Sequence, residues 1–221
     1  MKHTKKRRSP DTSGIVVELI QHAGTTFHEK LLNMYNGIIS SGVVPLDWHS
    51  TVFSMLPKSG NLTDASNWRP IAILPVLYKI FARLLYHRIH PILEKEQSDD
   101  QFGFRVGKRI DDVFSILENI IGKTNEWNLP LWMVSIDLRK AFDRILHDPL
   151  FDALLAQCVL EGYVQLLAAL YSNQQGFVNG SRGFGIYRGV KQGDVISPLL
   201  FNAGIEAAFR AWKRRLREHG F

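Results

Sequence analysis

The chain has 221 residues, 45% of them hydrophobic and 22% charged, which suffices for one sizeable core and excludes a disordered or fibrous chain. The formal net charge is +6, from 27 Lys and Arg against 21 Asp and Glu, but five of the basic residues lie in MKHTKKRRSP, residues 1–10, and the other 22 nearly balance the acidic ones. Overall charge therefore excludes nothing about a polyanion partner and argues for one only through a local patch.

In chain order, residues 1–25 read as a basic, disordered tail that suits a nuclear address, a polyanion contact or a solubilising end, and residues 26–221 read as one compact unit. TFHEKLLNMYNGIIS, residues 26–40, is expected to be a helix with Phe27, Leu31, Met34 and Ile38 on its core face, ended by Gly42 and Pro45. STVFSML, 50–56, reads as a strand leading into the polar loop SGNLTDASN. From Pro75 to Ile89, Val76, Leu77, Ile80, Phe81, Leu84, Leu85 and Ile89 recur at helical spacing. A further amphipathic helix is expected over Asp111–Ile121 on Val113, Phe114, Leu117, Ile120 and Ile121.

LWMVSI, Leu131–Ile136, is short, continuous and flanked by Asn128 and Pro130, the pattern of a strand buried on both faces. Asp148 followed by Pro149 predicts a capped helix, with Gly162 as its break and another helix over 163–171. Cys158, the one cysteine, sits in LLAQCVL and reads as a small buried hydrophobe; alone it forms no internal disulfide, which favours a reducing compartment. FVNGSRGFGI suggests a hairpin around Asn179 and Gly180, and Ser197 with Pro198 opens a last helix with Ile205, Phe209, Trp212 and Leu216 on one stripe, stopped at Gly220. Irregularly alternating helices and strands indicate an α/β (α+β) layer architecture. No apolar run approaches the roughly 18 residues that span a bilayer, and no apolar core follows the N-terminal basic residues. The expectation is an intracellular chain of nucleus or cytoplasm, neither secreted nor membrane-bound.

Three features suggest chemistry. Asp137 ends the apolar run, and a bare carboxylate there must meet water, a cation or a partner; hard oxygen donors at a strand end suit Mg²⁺, although a lone strand-end aspartate is more often a turn residue. RGVKQGDVISP, 188–198, has glycines that allow close backbone approach, the Gln192 amide, and a helix start friendly to anions. Lys58 and Arg69 suit phosphate oxygens, yet each alone reads as a solvated surface cation.

Together the segments LPKSG, NWRPIAILPVLYKIFARLL, QFGFRVGKRIDD, SIDLRKAFD and RGVKQGDVISPLLFN resemble the reverse transcriptase domain of non-LTR (LINE-type) retrotransposons, with group II intron enzymes as more distant relatives. The resemblance covers about 50–205 and implies right-hand polymerase fingers and a partial palm, with helices packed on a small sheet. It implies template-directed nucleotidyl transfer with an RNA template, a DNA primer and dNTPs as partners and Mg²⁺ as cofactor. Asp137 matches a catalytic metal-binding aspartate, with the Leu138 carbonyl as a further ligand; such metal ions steady the attacking and leaving oxygens of phosphoryl transfer. Phe142 matches the bulky residue that leaves no room for a ribose 2′-hydroxyl, with Asp143 stabilising the turn. Gln192 and Gly193 match the segment lining the incoming nucleotide, Lys58 and Arg69 the residues that grip its triphosphate, and Gln101, Gly103, Arg105 and Gly107 the motif that cradles the template.

Two departures stand out. Where the family usually has a small hydroxyl residue this chain reads GKRIDD, with Arg109 and Ile110. The second catalytic motif, an aromatic residue followed by Ala-Asp-Asp, does not occur, nor do a thumb or an endonuclease domain; Asp99-Asp100 and Asp111-Asp112 both precede Asp137. One carboxylate and one carbonyl are too few ligands for two Mg²⁺ ions, so this chain by itself is expected not to polymerise DNA. The competing readings are a nucleic-acid-binding remnant without catalysis, and a chain without stable function whose open sheet edge invites aggregation.

Overall fold

Alternating side chains in Ser50–Pro57 (β1) and Trp68–Ile73 (β2) suit a half-buried ribbon, and the two strands pair antiparallel with Val52 opposite Ile73 and Pro57 opposite Trp68. The computed structural model describes residues 10–58, 60–178 and 182–220. On its other edge β1 pairs in parallel with Gln174–Val178 (β3), Ser50 opposite Gln175, and β3 continues antiparallel into Phe184–Ile186 (β4). The order is β2-β1-β3-β4. A parallel pair needs a long crossover, and here it carries most of the helices: Val76–Glu96 (α3), Ile110–Glu126 (α4), Ala141–Arg144 (α5), His147–Ala156 (α6) and Glu161–Tyr171 (α7). Val17–His22 (α1) and Thr25–Ser41 (α2) precede the sheet, and Ser197–Glu218 (α8) follows it. Helices packed on a small sheet are the α/β (α+β) arrangement expected. No helix is long and apolar enough to cross a membrane among the described residues.

The core is built around α3. Phe81, Leu85, Ile89 and Leu93 are fully buried, and the Phe81 ring meets Tyr35 of α2 at 5.3 Å and Trp48 at 5.2 Å. The helix continues past Pro91, where a backbone N–H is lost, because Leu93 and the rest of the stripe remain packed. Leu150 and Leu154 of α6, Leu166, Leu167 and Leu170 of α7, and Leu200 and Ala203 of α8 extend the same core.

Several expectations are corrected. The stretch 10–25 is built into the fold from Asp11 onward: its carboxylate accepts from Ser13 N and Ile15 N at 2.9 Å and from Val76 N at 2.7 Å, so a residue distant in sequence caps α3. The rest of the expected tail, residues 1–9, lies outside the described residues, as does the turn at Asn179 and Gly180, although β3 and β4 form the arms of that hairpin. In α2 the buried face is Leu31, Tyr35 and Ile38, with Phe27 and Met34 exposed; Gly42, at φ 70°, ends the helix as expected.

Near α6, the helix starts at His147 behind Leu146, so Asp148 and Pro149 lie inside its first turn, where a missing N–H costs nothing. It ends before Gly162. Val159 N donates to Leu154 O and Cys158 N to Leu155 O, both at 3.0 Å, a six-residue closure that puts Cys158 in the left-handed region at φ 62°. Cys158 is consequently exposed, while Val159 beside it is buried. On α8 the core residues are Leu199, Leu200, Asn202, Ala203 and Glu206, whereas Phe209 and Trp212 of the expected stripe face outward.

The largest correction concerns 131–136. The segment is not a strand, and Trp132 and Val134 are 91% and 85% exposed. An apolar strand is buried on both faces only when strands flank it and layers cover it, and among the described residues none of the four strands pairs with this run. Helix α4 forms as expected, yet none of its residues is buried: Phe114, Leu117, Ile120 and Ile121 are exposed.

Candidate active site

A single helical turn, α5, lifts Phe142 and Asp143 out of the chain after Lys140, which takes the left-handed conformation at φ 53°. The turn is tied to the segment before α8 by backbone: Val190 N donates to Phe142 O at 2.8 Å and Gly189 N to Ile145 O at 2.7 Å. The approach is close enough that a Cβ on Gly189, already at φ 91°, would sit 3.0 Å from the Asp143 backbone. The Gln192 side-chain amide then donates to Asp143 Oδ1 at 3.1 Å, and the Gln192 backbone carbonyl accepts from Ala72 N of β2 at 2.8 Å. At Gly193, φ 107°, a Cβ would meet Ala72 O at 3.2 Å. Gln192 thereby bridges the sheet and the turn bearing Phe142. Beside it a cleft of about 290 Å³ is walled by Phe53, Met55, Pro70 and Phe184.

The Phe142 ring packs against Phe201 of α8 at 4.7 Å and Phe104 at 5.7 Å. Phe104 belongs to the 101–107 loop, which is held by side chains rather than by strand pairing. Gln101 Nε2 donates to Asn202 Oδ1 at 3.3 Å, Asn202 Nδ2 to Gly103 O at 2.7 Å, and Gly107 turns at φ 81°. Arg105 is turned inward, its side chain 8% exposed: it donates through Nε and Nη2 to Glu94 Oε1 and through Nη1 to Ser98 O and Gln101 O. It fastens the loop to α3 instead of pointing at solvent. Arg109 sits at the N-terminus of α4, its N–H donating to Asp112 Oδ2 at 2.8 Å.

Lys58 Nζ donates to Ser66 O at 3.3 Å, bracing the loop between β1 and β2, and Arg69 is exposed opposite Leu56. Asp137 and Leu138 lie in an exposed irregular segment. Among the described residues no group of three or more His, Cys, Asp or Glu is placed to hold a metal ion. Asp137 therefore belongs to no such group.

Below the Gln192 turn lies a cluster the sequence reading passed over. Asp194 is buried and accepts from the Tyr78 hydroxyl at 2.6 Å and from Ile196 N at 3.4 Å. Lys191 is buried beside it, its ammonium 4.8 Å from the Tyr78 ring centre and 5.8 Å from that of Tyr171, without a hydrogen-bond partner among the described residues. Burial pushes its pKa down to about 8, against the pull of Asp194; burial likewise pushes the Asp194 carboxyl up, countered by Tyr78 and Lys191. The signal in the sequence was the KxxD spacing around Gln192, which periodicity cannot distinguish from a surface loop.

The reverse transcriptase (RNA-dependent DNA polymerase) family matches residues 56–220, which contain Lys58, Arg69, the 101–107 loop, Asp137, Phe142 and the Lys191–Asp194 turn. The chain belongs to that family. It is 30% identical over 98% of its length to a 149 kDa protein of transposon TX1 from Xenopus laevis, covering 17% of that protein. It is 29% identical over 91% of its length to the Pol polyprotein of the type-1 retrotransposable element R2 from Popillia japonica, of which it covers 28%. With a probable RNA-directed DNA polymerase from transposon BS of Drosophila melanogaster it shares 28% identity over 76% of its length and covers 19% of that protein. The chain therefore spans under a third of these relatives. Reverse transcriptases are in general metal-dependent and work on a nucleic-acid template and primer.

Proposed function

We propose that this chain forms the fingers and part of the palm of a retrotransposon RNA-directed DNA polymerase, gripping an RNA template, a DNA primer and an incoming dNTP. The observation that carries this reading is the convergence on Gln192: a side-chain bond to Asp143, next to Phe142, and a backbone bond to β2, the strand that carries Arg69. In this reading the Phe142 ring, backed by Phe201 and Phe104, closes the space where a ribose 2′-hydroxyl would sit. Arg69 and Lys58 meet the triphosphate, Gln192 and Gly193 line the nucleotide, and the backbone of Gln101, Gly103 and Gly107 meets the template, with Arg105 holding that loop in shape. Asp137 and the Leu138 carbonyl supply one side of an Mg²⁺ site; the ion, when bound, neutralises charge that develops on the transferring phosphate. Because that donor set is partial, the chain by itself binds and does not polymerise.

The test is fluorescence anisotropy of a labelled RNA template–DNA primer duplex. Affinity is expected to fall steeply with salt, as phosphate contacts release counterions. Arg69→Ala is expected to weaken binding of a fluorescent dATP by about tenfold, the cost of a charge-assisted phosphate contact. Salt-independent duplex binding, or dATP binding indifferent to Arg69, would contradict the reading. Duplex binding that ignores both dNTPs and Asp137→Ala would favour the remnant without catalysis.

A further inference from the structure

A pocket of about 200 Å³ lies against the 101–107 loop, between α3 and the start of α8. Its apolar walls are Phe104, Val195, Pro198 and Leu199, and its aromatic floor is Tyr86 and His90, whose rings lie 4.9 Å apart at 34°. Its polar groups are unusual in kind. Gln157 Nε2 donates to Ala153 O at 3.0 Å and Ala203 O at 2.8 Å, so Gln157 presents its Oε1 to Gln97 and receives the Gln97 amide N–H at 3.4 Å. That orients Gln97 and leaves its buried Oε1 as an acceptor without a donor. Glu94 Oε1 accepts from Arg105, while Oε2, on a partly exposed side chain, faces the His90 ring at 3.8 Å. Arg105 and Glu94 cancel one another, so the pocket does not invite a phosphate; its acceptors, the buried Gln97 Oε1 and the partly exposed Glu94 Oε2, suit N–H donors on a flat ring. At the rim Phe104 is 66% exposed and holds a left-handed backbone, φ 59°, that is rare for a bulky residue.

We propose that this pocket takes the base of one unpaired template nucleotide, and that guanine fits it best. Guanine carries an imino and an amino donor on one edge, matching two acceptors, and a π-face for Tyr86, His90 and Phe104. Uracil has a single ring donor and cannot meet both acceptors. The inference rests on the reading that the 101–107 loop cradles the template, and it adds a base-selective seat beside a contact that is otherwise blind to sequence.

The experiment measures binding of short single-stranded oligouridine RNAs carrying one central guanine, inosine or uridine to the full 221-residue chain. The guanine RNA is expected to bind about tenfold more tightly than the uridine RNA, with inosine, which lacks the amino donor, losing most of that gain. Val195→Phe, which fills the pocket, is expected to abolish the preference while leaving salt-dependent binding in place. The inosine comparison needs no altered protein, so it decides the matter even if that variant fails to fold. Equal, salt-dependent binding of all three RNAs overturns the base seat and leaves the template reading standing. No RNA binding at any salt concentration overturns both.

Discussion

Asp194→Ala is expected to lower stability by on the order of 3 kcal/mol, because it strips the countercharge from the buried Lys191 ammonium and the acceptor from the Tyr78 hydroxyl at once. Lys191→Met is the informative companion. It removes a buried ammonium that has no hydrogen-bond partner among the described residues, but it also takes the countercharge from the buried Asp194, which keeps the Tyr78 hydroxyl and Ile196 N as donors, so it should cost less at pH 7 than Asp194→Ala. The two proteins should also differ with pH. Lys191 has its folded pKa lowered from 10.5 to about 8, so the folded state releases this proton first and the wild-type chain gains stability as pH rises through that window. The slope tends to about 1.4 kcal/mol per pH unit. Tyr78 and Tyr171, whose phenols burial pushes up, act oppositely above pH 10, so the comparison belongs below it. Urea unfolding of wild type and Lys191→Met from pH 7 to 9.5 checks this: wild type should gain stability relative to the variant as pH rises, and parallel curves would contradict it.

Phe81→Ala should cost more, about 3–5 kcal/mol, the range for emptying a fully buried aromatic site. Its ring is the joint at which α2, the turn bearing Trp48 and α3 meet. Urea unfolding gives the magnitude, and near-ultraviolet dichroism of Trp48 reports whether the joint loosens before the rest. A loss below about 1 kcal/mol would mean that these elements do not share one core.

What could be read in advance follows from where the information resides. Helix α3 was legible because six of its seven apolar residues at helical spacing, all but Leu84, pack in or against the core, and β1 because its alternation matched a half-buried ribbon. The run 131–136 was misread for a general reason: composition states what a segment needs, and pairing states whether it is met. LWMVSI has the apolar content of a central strand, yet among the described residues no strand pairs with it, and the apolar face of α4 is likewise exposed. Cys158 failed differently, since a six-residue helix ending with no glycine is set by backbone closure rather than by residue type. Asp11, Lys191 and Asp194 act through contacts made across long sequence separations. Arg105 was singled out by its motif, but its motif could not show that Glu94, eleven residues earlier, would draw it inward. By contrast the segments of Phe142 and Gln192, taken by resemblance from separate motifs, are joined through the bond from Gln192 to Asp143.

The most direct test of the central claim, a template- and nucleotide-gripping unit with only part of a metal site, is primer extension on an RNA template with Mg²⁺ and the four dNTPs. The expected result is no elongated primer from this chain under conditions in which anisotropy shows the duplex bound. Robust elongation that disappears in Asp137→Ala would contradict it, because the exposed Asp137 and the Leu138 carbonyl would then suffice for catalysis.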